Sequence, residues 1–160
     1  MTTSLTYLRD KFYRFAYRLI GSEQDAEDVA QDVCIKLLRH GERYDNLEAV
    51  GMRAVRNAVI DRSRSKHYQS ASLARITEPA DEATPYRRAE HRDLLLQVER
   101  IVARLPEAQR TIFHLRDVEG MTYDEMAAVT GQSMAQVKVN LHRARSTIKT
   151  ELQRLEHYGL

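Results

Sequence analysis

The stretch TYDEMAAVTGQSMAQVKVNLHRARSTIK, residues 122–149, predicts two helices joined by a tight turn. Thr122 and Glu125 have the spacing of a capping box, in which each side chain bonds the backbone of the other. Gly131 follows the first helix at the place where the left-handed backbone that ends a helix costs glycine little. A short helix, a glycine turn and a longer helix together favour a helix-turn-helix.

The longer helix of this pair has one apolar face and one basic face. Ser133 and Gln136 repeat the capping-box spacing at its start. Its apolar positions recur at i, i+4, i+7 and i+11, and they are Val137, Leu141, Ala144 and Ile148. The other face carries Lys138, Asn140, His142, Arg143, Arg145 and Lys149. A basic helix held against a smaller one is the geometry that enters a DNA major groove, and the alternative is an ordinary helical hairpin with a solvated charged face.

Charge is distributed unevenly along a chain of 160 residues whose formal net charge is only +2. Residues 22–32 contain five acids and no base, whereas residues 51–66 contain five bases and one acid. The whole protein is therefore not a nonspecific polycation. One acidic surface and two separate basic surfaces indicate different partners for different parts of the chain.

Composition excludes several classes of function. The single cysteine, Cys34, cannot form an intramolecular disulfide or a cysteine-based zinc site, and its place on an apolar helix face predicts a buried thiol. The six histidines are scattered without metal-ligand spacing, and no nucleophile has a base placed beside it. We therefore expect no enzyme activity, no metal and no cofactor. The chain has neither a membrane-spanning apolar run nor a signal-peptide pattern, so we expect a cytoplasmic protein.

Periodicity along the rest of the chain predicts an all-α fold of two small helical domains. Three helices are expected in the first domain, residues 1–66, and the segment 67–89, which holds two of the three prolines, is expected to be a flexible linker. The second domain, residues 90–160, is expected to hold four helices. One of them runs from Pro106 to Gly120, with Ile112, Phe113, Leu115 and Val118 apolar.

With both halves laid out, the chain resembles the extracytoplasmic-function (ECF, group IV) sigma factors of bacterial RNA polymerase, within the sigma-70 family. In the first half, DAEDVAQDVCIKLLR (25–39) resembles the family's core-polymerase helix, and RNAVIDRSRSK (56–66) resembles its promoter-melting helix. In the second half, LPEAQRTIFHLRDVEGMTYDEMAAVTGQS (105–133) and LHRAR (141–145) resemble its −35-binding domain. The order of the motifs adds to the specificity of each.

The resemblance implies a site for each partner. The β′ clamp helices of core polymerase would bind an acidic, glutamine-bearing helix face made of Asp25, Asp28, Gln31 and Asp32. The −10 element would be read by the loop 41–47 and helix three, through Tyr44, Arg53, Arg56, Asn57, Asp61, Arg62 and Arg64. The −35 element would be read in the major groove by Ser133, Gln136, Lys138, Val139, Asn140, His142, Arg143 and Arg145.

The resemblance also implies a non-catalytic subunit with two further partners, the β flap of polymerase and an anti-sigma factor that could hold the chain near the inner membrane. It implies no small-molecule substrate and no membrane insertion. The alternative function is a LuxR-like helix-turn-helix regulator that acts without core polymerase. That alternative would leave residues 25–66 as a three-helix bundle without a function.

Overall fold

The computed structural model describes residues 4–64 and 85–157, with the backbone alone at residue 42 and residues 85–91. Within these residues the chain is all-α, as the sequence predicts. Its helices are α1 (Leu5–Ile20), α2 (Glu23–His40), α3 (Leu47–Ser63), α4 (Pro85–Ala103), α5 (Glu107–Phe113), α6 (Tyr123–Thr130) and α7 (Met134–His157).

The first three helices begin and end where local backbone chemistry allows. Gly21 ends α1 in the left-handed conformation, with φ of 79°. The Ser22 hydroxyl accepts the backbone N–H of Asp25 at 3.3 Å and so caps α2. The Asn46 side chain caps α3 by accepting the backbone N–H of Ala49 at 3.1 Å. Between these ends, α1, α2 and α3 pack against one another as one unit.

Gly51, inside α3, lies against the ring of Phe12 on α1. A Cβ added to Gly51 would lie 2.1 Å from Phe12 Cζ, closer than any real contact. Phe12 is fully buried, as is Met52 beside the glycine. Glycine normally weakens a helix, so its presence here is explained by the close approach of α1 and α3 rather than by a helix boundary.

The helix predicted over residues 106–120 ends differently from the prediction. After α5 the chain forms a π-helical turn, His114–Val118, in which the Glu119 N–H donates to the His114 carbonyl at 3.0 Å. Because a π turn holds more residues per turn, Val118 moves off the apolar face and is 44% exposed. Val118 therefore does not share the buried side of Ile112 and Leu115, with which the sequence grouped it as apolar. His114 is buried instead.

The fourth helix begins inside the segment predicted as linker. Helix α4 begins at Pro85, so residues 85–89, assigned to the linker 67–89, are helical. The physical reason is that proline suits the first turn of a helix, where its missing N–H is not needed and its fixed φ is already helical. Residues 67–84, the remainder of the predicted linker, lie outside the described residues.

The two halves of the chain pack against each other. Helix α1 contacts α5 and the π-helical turn, and α3 contacts α6. One apolar cluster continues from the first half into the second, joining Phe12 and Val55 to Leu115, Met126 and Leu141. A smaller cluster lies between α4 and the later part of α7. The molecule is therefore closed, with the helix-turn-helix against the three-helix unit.

Candidate nucleic-acid and protein interface

Helix α2 presents a mixed acidic and apolar face to solvent. Asp28, Gln31 and Asp32 are exposed, as a binding role requires. Two apolar side chains beside them, Ile35 and Leu38, are 40% and 69% exposed. Positions 28, 31, 35 and 38 follow helical spacing, so these polar and apolar groups share one stripe. Sequence reasoning missed the apolar pair, although this outward spacing was the available signal.

Asp25 differs from the other three residues assigned to polymerase. Its carboxylate accepts a hydrogen bond from Arg62 Nη1 at 3.2 Å, and both side chains are partly buried. Arg62 is one of the residues assigned to −10 DNA. The two residues expected to bind different partners thus contact each other and tie α2 to α3.

Helix α3 carries the remaining −10 candidates mostly on one face. Arg53, Asn57, Asp61 and Arg64 are exposed at i, i+4, i+8 and i+11, so they form a stripe along the helix. Arg56 is half-buried to one side of it. The aromatic candidate, Tyr44, is exposed just before α3, after the short 3-10 turn Gly41–Arg43. The structure brings the loop and the stripe onto adjacent parts of the first half.

Helices α6 and α7 form the predicted helix-turn-helix. Thr122 and Glu125 make the reciprocal capping box, with the Glu125 N–H 3.1 Å from the Thr122 hydroxyl. Gly131 is left-handed, with φ of 72°. Ser133 and Gln136 bond each other's backbone N–H, at 3.2 and 2.9 Å. These two −35 candidates therefore hold the start of α7 in place.

The exposed side of α7 has a centre and two flanks. With about 100° per residue, Val139 and His142 lie opposite the buried stripe that begins at Val137, and both are exposed. Asn140 lies on one flank, where its Nδ2 donates to the Gln132 side chain at 2.9 Å. Arg143 is exposed near it. The centre of the helix surface is therefore the part best presented to a groove.

The other flank of α7 is held by residues that sequence reasoning did not single out. Arg145 makes a two-pronged ion pair with Asp117, with Nε 2.9 Å from Oδ2. Lys138 Nζ lies 5.8 Å from the centre of the Tyr123 ring. Asp117 belongs to the π-helical turn and Tyr123 to α6, so no spacing rule within α7 predicts either contact. Both arrangements orient a cation whose donors remain partly accessible.

A charged cluster joins the two halves of the molecule at Glu119, whose side chain is 4% exposed. Arg14 of α1 donates to both of its oxygens, from Nε at 3.0 Å and from Nη2 at 3.2 Å. Lys11 of α1 approaches at 3.8 Å, and His114 Nε2 lies 3.3 Å from Oε1. Burial raises the pKa of the Glu119 carboxyl, but the neighbouring His114 and the Arg14 hydrogen bonds outweigh burial and lower that pKa to about 2.

Burial favours the neutral form of His114 within this cluster. Burial lowers its pKa below the ordinary 6.5, and the nearby Arg18 lowers it further, against the opposing effect of Glu119. Its Nδ1 accepts from Arg18 Nε at 3.4 Å, which assigns the ring proton to Nε2, facing Glu119. The ring stacks on Phe15, with 5.3 Å between centroids. The stability it contributes is thus present above pH 6.5 and is lost as pH falls below that value.

Comparison with known protein families gives two matches that follow each other along the chain. Residues 5–68 match Sigma-70 region 2, and residues 95–148 match Sigma-70, region 4. The boundaries enclose α1–α3 and the helix-turn-helix, respectively. Among the described residues, no helix has the length and apolar content needed to span a bilayer.

Individual relatives carry related names. The chain is 28% identical over 148 residues to the ECF RNA polymerase sigma factor SigE of Mycolicibacterium smegmatis, covering 89% of this chain and 58% of that protein. It is 30% identical over 132 residues to the ECF RNA polymerase sigma factor ShbA of Streptomyces griseus, covering 77% of this chain and 69% of that protein. A solved structure with a similar fold is the sigma factor RpoE in complex with the anti-sigma factor NepR from Bartonella quintana. Its TM-score is 0.70 at 23% identity, over 93% of this chain and 94% of that one.

Proposed function

The chain belongs to the ECF RNA polymerase sigma factors of the sigma-70 family, and from this we propose that it binds core RNA polymerase and directs promoter-specific initiation of transcription. We assign it to group IV and to the non-catalytic subunits, acting in the cytoplasm where polymerase acts. The observation that carries the proposal is the pairing of an exposed acidic helix face with two separate basic helix surfaces in one chain. A regulator that binds DNA without polymerase would need only the basic surface on α7.

The α2 stripe is the proposed docking surface for core polymerase, on the β′ clamp helices. Asp28 and Asp32 supply charge for a basic partner surface, and Gln31 supplies both a donor and an acceptor. Leu38, exposed and apolar, adds the buried contact that such interfaces place at their centre. Asp25 is better assigned to holding Arg62 and α3 in register, since both side chains are already engaged with each other.

The α3 stripe is the proposed surface for the nontemplate strand of the −10 element. Arg53 and Arg64 would neutralise phosphates, which supplies most of the affinity for single-stranded nucleic acid. Asn57 would bond a base edge, and the exposed Tyr44 would stack on an unpaired base. Arg56 and Asp61 flank this path.

The outward centre of α7 is the proposed reader of the −35 element. Val139 would contact a thymine methyl and His142 would donate to a base edge, while Lys138 would reach another base edge from the flank. Arg143, Asn140 and Arg145 would lie along the phosphates on either flank. Ser133 and Gln136 would contribute by fixing the helix start, in addition to any contact with the DNA backbone.

An anti-sigma factor is a proposed further partner, and the β flap of polymerase is another. The support is the fold shared with a sigma factor solved in complex with an anti-sigma factor. The alternative of a LuxR-like regulator is set aside because residues 5–68 match Sigma-70 region 2, which such a regulator does not need.

The proposal is tested by reconstituted transcription. Purified chain, core polymerase and a pool of promoter fragments are incubated with nucleoside triphosphates, and the transcript 5′ ends are sequenced. We expect transcripts from a small set of fragments that share elements at −35 and −10, and none without the chain. A chain that binds promoter duplex tightly by itself yet leaves the polymerase products unchanged would contradict the proposal.

Lys138→Ala is expected to weaken use of a cognate −35 element by about 2 kcal/mol, because a base-reading side chain contributes on the order of 1–3 kcal/mol. The measurement is the affinity of polymerase carrying the chain for the cognate element and for single-base variants of it. Lys149→Ala, an exposed lysine three turns further along α7, is the control. An equal loss on every sequence would make Lys138 a phosphate contact.

A further inference from the structure

Side-chain hydrogen bonds run from the end of α6, through the turn of the helix-turn-helix, to the second turn of α7. The Thr130 hydroxyl, in a residue only 5% exposed, donates to the Met126 carbonyl at 2.8 Å. The same oxygen accepts the backbone N–H of Gln132 at 3.3 Å. Gln132 Oε1 then accepts from Asn140 Nδ2, eight positions further along, at 2.9 Å. Gln132 is therefore held at its backbone and at the end of its side chain.

The amide pair, Gln132 and Asn140, keeps unused hydrogen-bonding groups. Its single internal bond uses the Gln132 oxygen and one N–H of Asn140, so both hydrogens of the Gln132 NH2 group remain available. Among the described residues this NH2 group and Asn140 Oδ1 have no hydrogen-bond partner, and neither is one of the buried polar atoms that lack one. Both groups therefore reach solvent, and the pair presents an amide donor in a fixed position.

The amide pair and the cations Lys138 and Arg145 lie on opposite flanks of α7. Because an α-helix advances by about 100° per residue, Asn140 lies about 160° around the helix from Lys138. Arg143 is exposed beside the amide pair. The two flanks of a helix in a major groove face the two phosphate backbones that form its walls. One wall would thus meet two cations, and the other would meet the amide pair and one cation.

We propose that the amide pair binds a DNA phosphate on its own wall of the groove. The Gln132 NH2 group is the binding group, which donates to a phosphate oxygen, and Asn140 is a positioning residue that fixes the orientation of this group. A donor that is already ordered loses little conformational entropy when it binds. Because the amide is neutral, it displaces no counterion from DNA, and its contribution is insensitive to salt. This inference deepens the proposed function and rests on it for the identity of the ligand.

The test measures binding of the free full-length chain to several short DNA duplexes of unrelated sequence, by fluorescence anisotropy at a series of salt concentrations starting from low salt. Gln132→Ala removes the donor, and Asn140→Ala removes the group that positions it. Gln153→Ala is the matched control, because Gln153 is exposed near the other end of α7, about 20 Å from Asn140 along the helix. Arg143→Ala is the charged comparison.

We expect Gln132→Ala to bind every duplex about five- to tenfold more weakly than the wild type, since a hydrogen bond to a charged group is stronger than a neutral one. The slope of log affinity against log salt should not change, whereas Arg143→Ala should reduce that slope by about one. Asn140→Ala should give a smaller loss of the same kind. Gln153→Ala should bind like the wild type.

A second substitution separates phosphate binding from simple bracing of the turn. Gln132→Glu keeps an oxygen that can accept from Asn140 Nδ2, so it preserves the brace, but it replaces the NH2 group by an oxygen that repels phosphate. Gln153→Glu adds the same charge far from the pair. We expect Gln132→Glu to bind more weakly than both Gln132→Ala and Gln153→Glu. Helical circular dichroism checks that each variant is folded.

Four results would overturn the proposal. They are equal affinities for Gln132→Ala and Gln153→Ala, a loss confined to particular sequences, equal affinities for Gln132→Glu and Gln153→Glu, and a wild type that binds no duplex at low salt. A sequence-dependent loss would make the pair a reader of bases, and equal affinities of the two glutamate variants would make it a brace. The measurements do not involve polymerase, so failure of the proposed function would appear separately, as a chain that directs no transcription.

Discussion

Replacing Asp28, Gln31 and Asp32 together by alanine is expected to lower the affinity for core RNA polymerase at least about a thousandfold, about 4 kcal/mol. The three side chains are exposed on one face of α2, where Asp28 and Gln31 form the polar part of the stripe and Asp32 lies beside it. Truncating charges that pair with a partner leaves the opposite charges of the interface unpaired, and several such losses fall on one small surface. The measurement is co-purification, followed by titration of labelled chain with core polymerase.

The matched control for this triple variant lies on the same helix. Glu23 is exposed in the first turn of α2, about 100° around the helix from the centre of the stripe, so Glu23→Ala removes a similar group without removing the stripe. We expect the control to bind like the wild type and all variants to keep their helical circular dichroism. A triple variant that retains polymerase would exclude α2 as the docking helix. Leu38→Ala, which adds no charge change, tests the apolar part of the stripe separately.

Gly51→Ala is expected to destabilise the N-terminal half by about 3 kcal/mol, even though alanine is the better helix former by about 1 kcal/mol. The added methyl would lie 2.1 Å from Phe12 Cζ, and the ring is fully buried among the other core side chains. Overpacking of this kind forces the helices apart or the ring off its rotamer. The measurement is the free energy of unfolding from urea denaturation.

Two further variants separate overpacking from other effects of glycine replacement. Gly41→Ala is the control, because its Cβ would meet only the flexible end of Leu47 at 3.3 Å and its backbone is right-handed helical. We expect that change to cost little. Phe12→Leu should restore part of the stability in the presence of Gly51→Ala, since it removes ring atoms at the clash. Equal losses at Gly41 and Gly51 would contradict the packing explanation.

Features that depend on residues close together in sequence were predicted, and features that depend on an irregular backbone were not. Capping depends on groups three positions apart, so the boxes at Thr122 and Ser133 were predicted and are confirmed. The apolar stripe of α7, from Val137 to Ile148, is likewise confirmed, because helical periodicity reports burial directly. The exposure of Val118 was not predicted, because a π turn changes that periodicity locally and leaves no composition signal.

For the site residues, the sequence predicted which side chains lie on each helix but not which side chains of different helices contact each other. Sequence assigned Asp25 to polymerase, Arg62 to −10 DNA and Arg145 to −35 DNA as if each side chain were independent. In the structure Asp25 pairs with Arg62, and Arg145 pairs with Asp117, 28 positions away. These contacts depend on which helices pack together. No spacing rule within one helix contains that information.

The sequence by itself determined the helices, their caps, the helix-turn-helix and the family, since each depends on residues within a turn or two of one another or on an order of motifs. Tertiary structure alone decided that the two halves close on each other. Arg14 and Glu119 are 105 positions apart, and their contact exists only because α1 packs on the π-helical turn. The sequence shows which charged groups are available to pair. The packing of the helices decides which of these groups come within contact distance.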